Sequence, residues 1–284
     1  MSLKLNSIDL RHQSKVALVK GERSLETVLK AIQLAGEPRF EDKPVIVKVN
    51  LISTKDWRSG ATTDPIIVEG LIKYLRKMND EIFVADSDAT ITNVDKAVET
   101  SGIKSICEKH DVPFINLRKL KEKVKVEVVK GEVLSKITLP KIVLESYVIS
   151  AAKLKTHSET LVTLGLKNMF GLIPEKFKAK YHLIGIGKVI VDVNLTKKPD
   201  FTIIDGFIAM EGKGPENGKP VKMDLVIAGK DPVATDVTAA SVMGFDPNKI
   251  FHIKRASERG LGNIKEIVVM GSNLNEVKRN FEPP

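Results

Sequence analysis

Short apolar runs alternate with stretches of helical spacing along most of the chain. Val16–Val19, Val45–Leu51, Glu81–Ala85, Val112–Asn116, Tyr147–Ala152, Phe201–Ile204, Leu225–Ala228 and Ile267–Met270 are brief and rich in branched side chains, which predicts strands. Apolar residues at helical spacing predict helices over residues 24–34, 66–78, 93–101, 184–195, 233–243 and 247–259. Ser24, Asp64 and Asp231 stand where side chains cap helices, the last two with proline as first helical residue. Only LKEKVKVEVVKG, ending at Gly131, alternates strictly. It predicts a strand with one wet face that turns at Gly131 and Glu132 into a partner over Val133–Leu139. The pattern implies an α/β fold, a mostly parallel sheet flanked by helices with a central β-hairpin. It is compatible with one domain over residues 1–284 or with two lobes divided near residues 118–140.

The stretch Tyr147–Gly171 carries the densest candidate chemistry. A buried strand, Tyr147–Ala152, is expected to run into a loop formed by Lys153, Leu154, Lys155, Thr156 and His157. A helix with Leu161, Val162, Leu164, Leu166 and Met169 on its apolar face would follow, capped by Thr156 or Ser158 and ended by Gly171 in the left-handed conformation. Ligands of open α/β sheets sit outside the carboxyl ends of strands, and a helix N-terminus there favours an anion. Lys153, Lys155 and His157 would add charge or donors, and Lys167 and Asn168 are polar interruptions of the same helix. Lys48 and Asn50 fall at the end of another apolar strand. Alternatively, these side chains simply decorate a surface turn.

Carboxylates follow other strands. Asp86 ends the run IFVAD ahead of Ser87 and Asp88, and Asp205 ends Phe201–Ile204. Such groups can bind a metal or move protons, whereas Asp88 also suits a helix cap. Glu211 lies in GFIAMEGKGPENGKPV, read as a glycine-rich loop whose backbone can approach a ligand. The loop Ile52–Asp64 holds the sole tryptophan, Trp57, as a lid or a plug. Gly185-Ile186-Gly187 lacks the third glycine and the preceding strand of a dinucleotide fingerprint.

A length of 284 residues with 42% hydrophobic and 29% charged residues suits a globular core and offers no membrane-length apolar run. The N-terminal stretch MSLKLNSIDLRHQSK lacks the apolar centre of a secretory signal, so the expected location is cytoplasmic. Cys107 is the only cysteine and cannot by itself form an intrachain disulfide or a cysteine-ligated iron–sulfur cluster. The net charge of +9 makes nucleic acid a candidate partner, but aromatics are 5% and no basic cluster is interleaved with stacking residues. Lysines dispersed among glutamates, with Gln13 and Gln33 the only glutamines, equally suit a protein from a hot environment.

The blocks GATTDP (60–65), KLKTH (153–157), LKNMFG (166–171), DGFIAMEGKGP (205–215) and AGKDPVATDVTAASVMGFDP (228–247) occur in that order. Together they resemble the family known as domain of unknown function 362. Val49 and Ala152 stand where that family often has proline. The resemblance implies an α/β fold and a cytoplasmic protein without an established activity. Some relatives carry iron–sulfur cysteines that this chain lacks.

The leading expectation is an enzyme or binding protein for a small anionic molecule bearing carboxylate or phosphate. Lys48, Asn50, Lys153, Lys155, Thr156, Lys167 and Asn168 would bind it. Asp86 and Asp205 would hold a divalent cation, and His157, Asp205 and Glu211 would move protons. The competing expectation is a nucleic-acid-binding protein using the basic surface.

Overall fold

The computed structural model describes residues 13–40 and 42–284. Most of the stretch on which the signal-peptide argument rests lies outside them. The strands are β1 (Ser14–Lys20), β2 (Val45–Lys48), β3 (Ile82–Asp86), β4 (Phe114–Asn116), β5 (Lys123–Glu127), β6 (Lys136–Pro140), β7 (Tyr147–His157), β8 (Leu161–Val162), β9 (Phe201–Glu211), β10 (Lys219–Gly229) and β11 (Ile267–Gly271). The main sheet has the order β11-β1-β10-β9-β7-β2-β3-β4, with β8 paired to β7 off this path. Pairing is parallel within β4-β3-β2-β7-β9 and for β1 with β11, and antiparallel for β9-β10, β10-β1 and β7-β8. The sheet is therefore mixed and mostly parallel.

Helices cover both faces, as the apolar strands require. On one side lie α1 (Leu25–Leu34), α2 (Pro65–Leu75), α3 (Val94–Thr100) and α4 (Ile103–Lys109), packed on Ala17, Val19, Val45 and Val47. On the other lie α5 (Lys141–Glu145), α6 (Leu164–Asn168), α7 (Ala179–Leu183), α8 (Ile186–Thr196), α9 (Pro232–Val242) and α10 (Phe251–Glu258), packed on Val16, Leu18 and Ile46. The short α11 (Leu274–Val277) follows the last strand. Ser24, Asp64 and Asp231 accept backbone N–H bonds as caps. The β5-β6 pair forms the expected hairpin, and the fully buried Asp192 accepts N–H bonds from Glu132, Val133 and Leu134 at its turn.

Three expectations need correction. First, β7 does not stop at Ala152. It continues through Lys153, Lys155 and His157, so these residues belong to a buried strand and not to a loop. Second, the following helix is only α6, begun at Thr163 without a side-chain cap; neither Thr156 nor Ser158 caps it. Gly171 lies in a 3-10 turn, and its lack of a side chain leaves room for Lys48 and Asp86: a Cβ there would lie 2.6 Å from Lys48 Nζ and 2.9 Å from Asp86 Oδ1. Third, β9 and β10 form one long antiparallel pair, so Gly206 and Glu211 are strand residues outside the glycine-rich loop once assigned to them.

The chain runs from β2 outward through β3 to β4, then returns to β7 on the other flank of β2 and continues to β9. The β2–β7 boundary is thus a topological switch point, where α/β sheets open a crevice at their carboxyl ends.

Candidate functional site

A cavity of about 260 Å³ opens at the carboxyl ends of β7, β2 and β3. That is small even for a metabolite site. Lys48 and Asn50 reach it from β2 and the residues after it, and Asp86 and Ser87 from the end of β3. Lys155 and His157 come from the last turn of β7, Thr163, Lys167 and Asn168 from α6 and its start, and Lys178 and His182 from around α7. Of the residues the sequence nominated, Lys48, Asn50, Asp86, Lys155, His157, Lys167 and Asn168 meet here.

Lys153, Thr156, Asp205 and Glu211 do not line it. Lys153 and Asp205 face each other on β7 and β9 and form a fully buried ion pair at 2.6 Å. Asp205 also accepts the N–H of Asp64 and of Phe207, and Arg23 grips the Asp64 carboxylate with two bonds of 2.7 Å. This network is closed by its own partners. The Thr156 hydroxyl donates to Gly212 O, and Glu211 is engaged by Arg279 and Glu282 N. A divalent cation shared by Asp86 and Asp205 drops out for a related reason: an ammonium already occupies each carboxylate. Among the described residues no cluster of three or more His, Cys, Asp or Glu could hold a metal ion. The guanidiniums of Arg23 and Arg58 lie over the Trp57 ring at 4.1 and 4.6 Å from its centroid, and Trp57 does not line the cavity. Asp88 accepts from Val94 N and pairs with Arg118, a structural position.

The helix N-terminus is also taken. Asp236 of α9 accepts the N–H groups of Gly165 and Leu166 at 2.7 and 2.9 Å, so the anion expected there is the protein's own side chain. Burial outweighs those two bonds and raises the Asp236 carboxyl to about 7.

The four cavity lysines differ in how many donors they have spent. An ammonium carries three. Lys48 uses its protons on Asp86 at 2.7 Å, Val49 O at 2.7 Å and Asn168 Oδ1 at 3.3 Å. Lys155 donates to Ala61 O and Pro215 O, and Lys178 only to Ser87 Oγ at 2.9 Å. Lys167 makes no hydrogen bond or ion pair among the described residues and lies 5.7 Å from the Phe170 ring. The residue is half-buried, and burial lowers its ammonium to about 8 against the opposing charge of Glu159.

Burial depresses its neighbours as well. Burial, with Lys48 and Lys167 against Asp86, holds Lys178 at about 8. Burial, then Lys167 and Lys153, pushes Lys155 well below the lysine range. Burial, then Lys167 and Lys155, drives His157 down to about 2, and its Nδ1 accepts Glu159 N. His157 is therefore neutral near pH 7, and the proton exchange expected of a histidine with ordinary pKa is unavailable to it. Two acceptors on the wall, Asn50 Oδ1 and Thr163 Oγ1, are buried without a hydrogen-bond partner among the described residues. Orphaned polar atoms beside unspent cations mark where a polar ligand or water would bind.

Sequence reasoning passed over Ser87, Thr163, Lys178 and His182. Lys178 sits in a lysine-rich segment where nothing in the pattern separates it from its exposed neighbours. Ser87, directly after a strand and between two aspartates, carried a usable signal.

A family model described as Domain of unknown function (DUF362) matches residues 45–241. The chain belongs to that family. The matched span contains every cavity residue named above, so the cavity belongs to the DUF362 part of the chain. The chain is also 28% identical to the "Thylakoid-associated protein sll1697" of Synechocystis sp., over 80% of this chain and 71% of the relative. No solved structure gives a significant match. Among the described residues no helix is long and apolar enough to cross a membrane.

Proposed function

We propose that this DUF362 protein binds a small anionic metabolite, a carboxylate or a phosphate, in the cavity at the carboxyl ends of β7, β2 and β3, and acts on it as an enzyme. The observation that carries the reading is the unspent ammonium of Lys167 beside two orphaned acceptors. An anion there would supply the missing partner for Lys167 and oppose the burial, and the smaller repulsion among cations, that depress Lys155 and His157. Asn50 and Thr163 would orient its hydroxyl or N–H groups. The reading includes a cytoplasmic location, although the Synechocystis relative is by name thylakoid-associated; fractionation of cells distinguishes the two.

The test is a thermal-shift screen of phosphorylated and carboxylated metabolites. Binding of one to the native state raises the melting temperature, and the gain disappears in Lys167→Ala. A gain that survives Lys167→Ala overturns the reading. So does a flat screen combined with a salt-steep affinity for DNA or RNA, which would favour the nucleic-acid alternative.

A further inference from the structure

Ser87 follows β3 at the floor of the same cavity and is almost wholly buried. Its Oγ accepts a hydrogen bond from Lys178 Nζ at 2.9 Å and donates to Gly171 O at 2.7 Å. Lys178 has no second hydrogen-bond partner among the described residues, and no carboxylate is within ion-pair reach of it. A serine hydroxyl within hydrogen-bond reach of a lysine that can shed its proton is the minimum equipment of nucleophilic catalysis. Burial, opposed by Asp86 and aided by Lys48 and Lys167, brings the proton affinity of Lys178 near working pH. Leu51, Ile52, Ile91 and Phe170 line the cavity too and offer apolar surface for an acyl or alcohol group.

We infer that Ser87 and Lys178 form a nucleophile–base pair that hydrolyses an ester bearing an anionic group, through an acyl-serine intermediate. The anionic group would rest on Lys167, so this inference relies on the anion-binding reading for its substrate class. With Lys178 neutral, Ser87 Oγ turns from Gly171 O and bonds to the ester carbon. Its proton passes to Nζ while the carbonyl electron pair moves to oxygen. Collapse breaks the bond to the alcohol, which leaves with the proton from Nζ. Water then attacks the acyl-serine, giving its proton to Nζ. Collapse releases the carboxylic acid and returns that proton to Ser87 Oγ. The balance is ester plus water to acid plus alcohol, with no oxidant or reductant.

The probes are an alkyl fluorophosphonate and a small aryl sulfonyl fluoride, read by intact-protein mass spectrometry and peptide mapping. The expected result is one covalent adduct on Ser87, absent in Ser87→Ala. Its rate should rise about tenfold per pH unit below pH 8 and level off above, and it should fall at least a hundredfold in Lys178→Met. Thermal melts of both variants establish that they are folded. If one is not, the wild-type adduct site and pH profile decide alone. No adduct with either probe, or an adduct elsewhere, overturns the inference. Labelling of Ser87 without any stabilisation by anions leaves the pair standing and removes the anion-binding reading; anion stabilisation without labelling does the opposite.

Discussion

Two lysines on the same strand, Lys153 and Lys155, are both wholly buried and have opposite surroundings. Lys153 meets Asp205, which in turn holds Asp64 N, and Arg23 completes the set. Among the described residues Lys155 donates only to backbone carbonyls, and it shares its cavity with Lys48, Lys167, Lys178 and His157. The first network has every strong charge matched and serves to fix β7 and β9 to the start of α2. In the second, among the described residues, only Lys48 has a carboxylate within ion-pair reach, and the anion proposed above would offset the rest. Residue type does not distinguish structure from site here; partner supply does.

The comparison breaks first if Asp205→Ala is tolerated. Truncation leaves Lys153 buried without its carboxylate, which costs about 3–5 kcal/mol. Urea denaturation checks this, and a loss below about 1 kcal/mol would mean the network is not closed as described.

Lys167→Ala should have the opposite sign. Its pKa falls from 10.5 to about 8 on folding, so the native state disfavours the charged form at pH 7. Removing the charge gains up to about 3 kcal/mol, less the packing of the lysine stem. Because the unfolded chain holds that proton more tightly, the gain is full below pH 8 and shrinks as pH rises toward 10.5. Melting curves of the two proteins at pH 7 and pH 10 sharpen the contrast; a variant less stable at both would show that Lys167 has a partner.

A smaller effect attaches to His157→Gln. Below pH 6.5 the unfolded chain takes up a proton that native His157 refuses down to about 2. The wild type therefore loses stability on acidification, by about 2 kcal/mol from this group at pH 5, and the glutamine variant lacks that contribution. The stability gap between them should narrow as pH falls from 7 to 5.

Much of this was legible from hydrophobic pattern. The presence of the strands, the capping roles of Ser24, Asp64 and Asp231 and the β5-β6 hairpin follow from periodicity and cap chemistry, whereas strand bounds do not: β10 begins at Lys219, ahead of the expected Leu225. What failed had one cause. Lys153 looked like the start of a loop because a charge inside a strand is costly, and the Asp205 that permits it lies 52 residues away. Gly206 looked like loop flexibility, whereas a Cβ there would meet the Leu225 side chain at 2.5 Å across the strand pair. Asp236, one turn into α9, satisfies the start of α6, a partner 70 residues away that no local pattern announces. Long-range pairing is invisible to local pattern, and it decides which polar residues are structural.

The central claim is that Lys167, unlike the paired Lys48 and Lys153, has no bonded partner among the described residues until an anion arrives. It is tested most directly by calorimetric titration of the metabolite that stabilises the protein most, at pH 8 in two buffers of different ionisation enthalpy. Binding should take up protons, because the anion raises Lys167 from about 8, and Lys167→Ala should abolish most of that uptake. Binding with no proton uptake, or with the same uptake in Lys167→Ala, would contradict it.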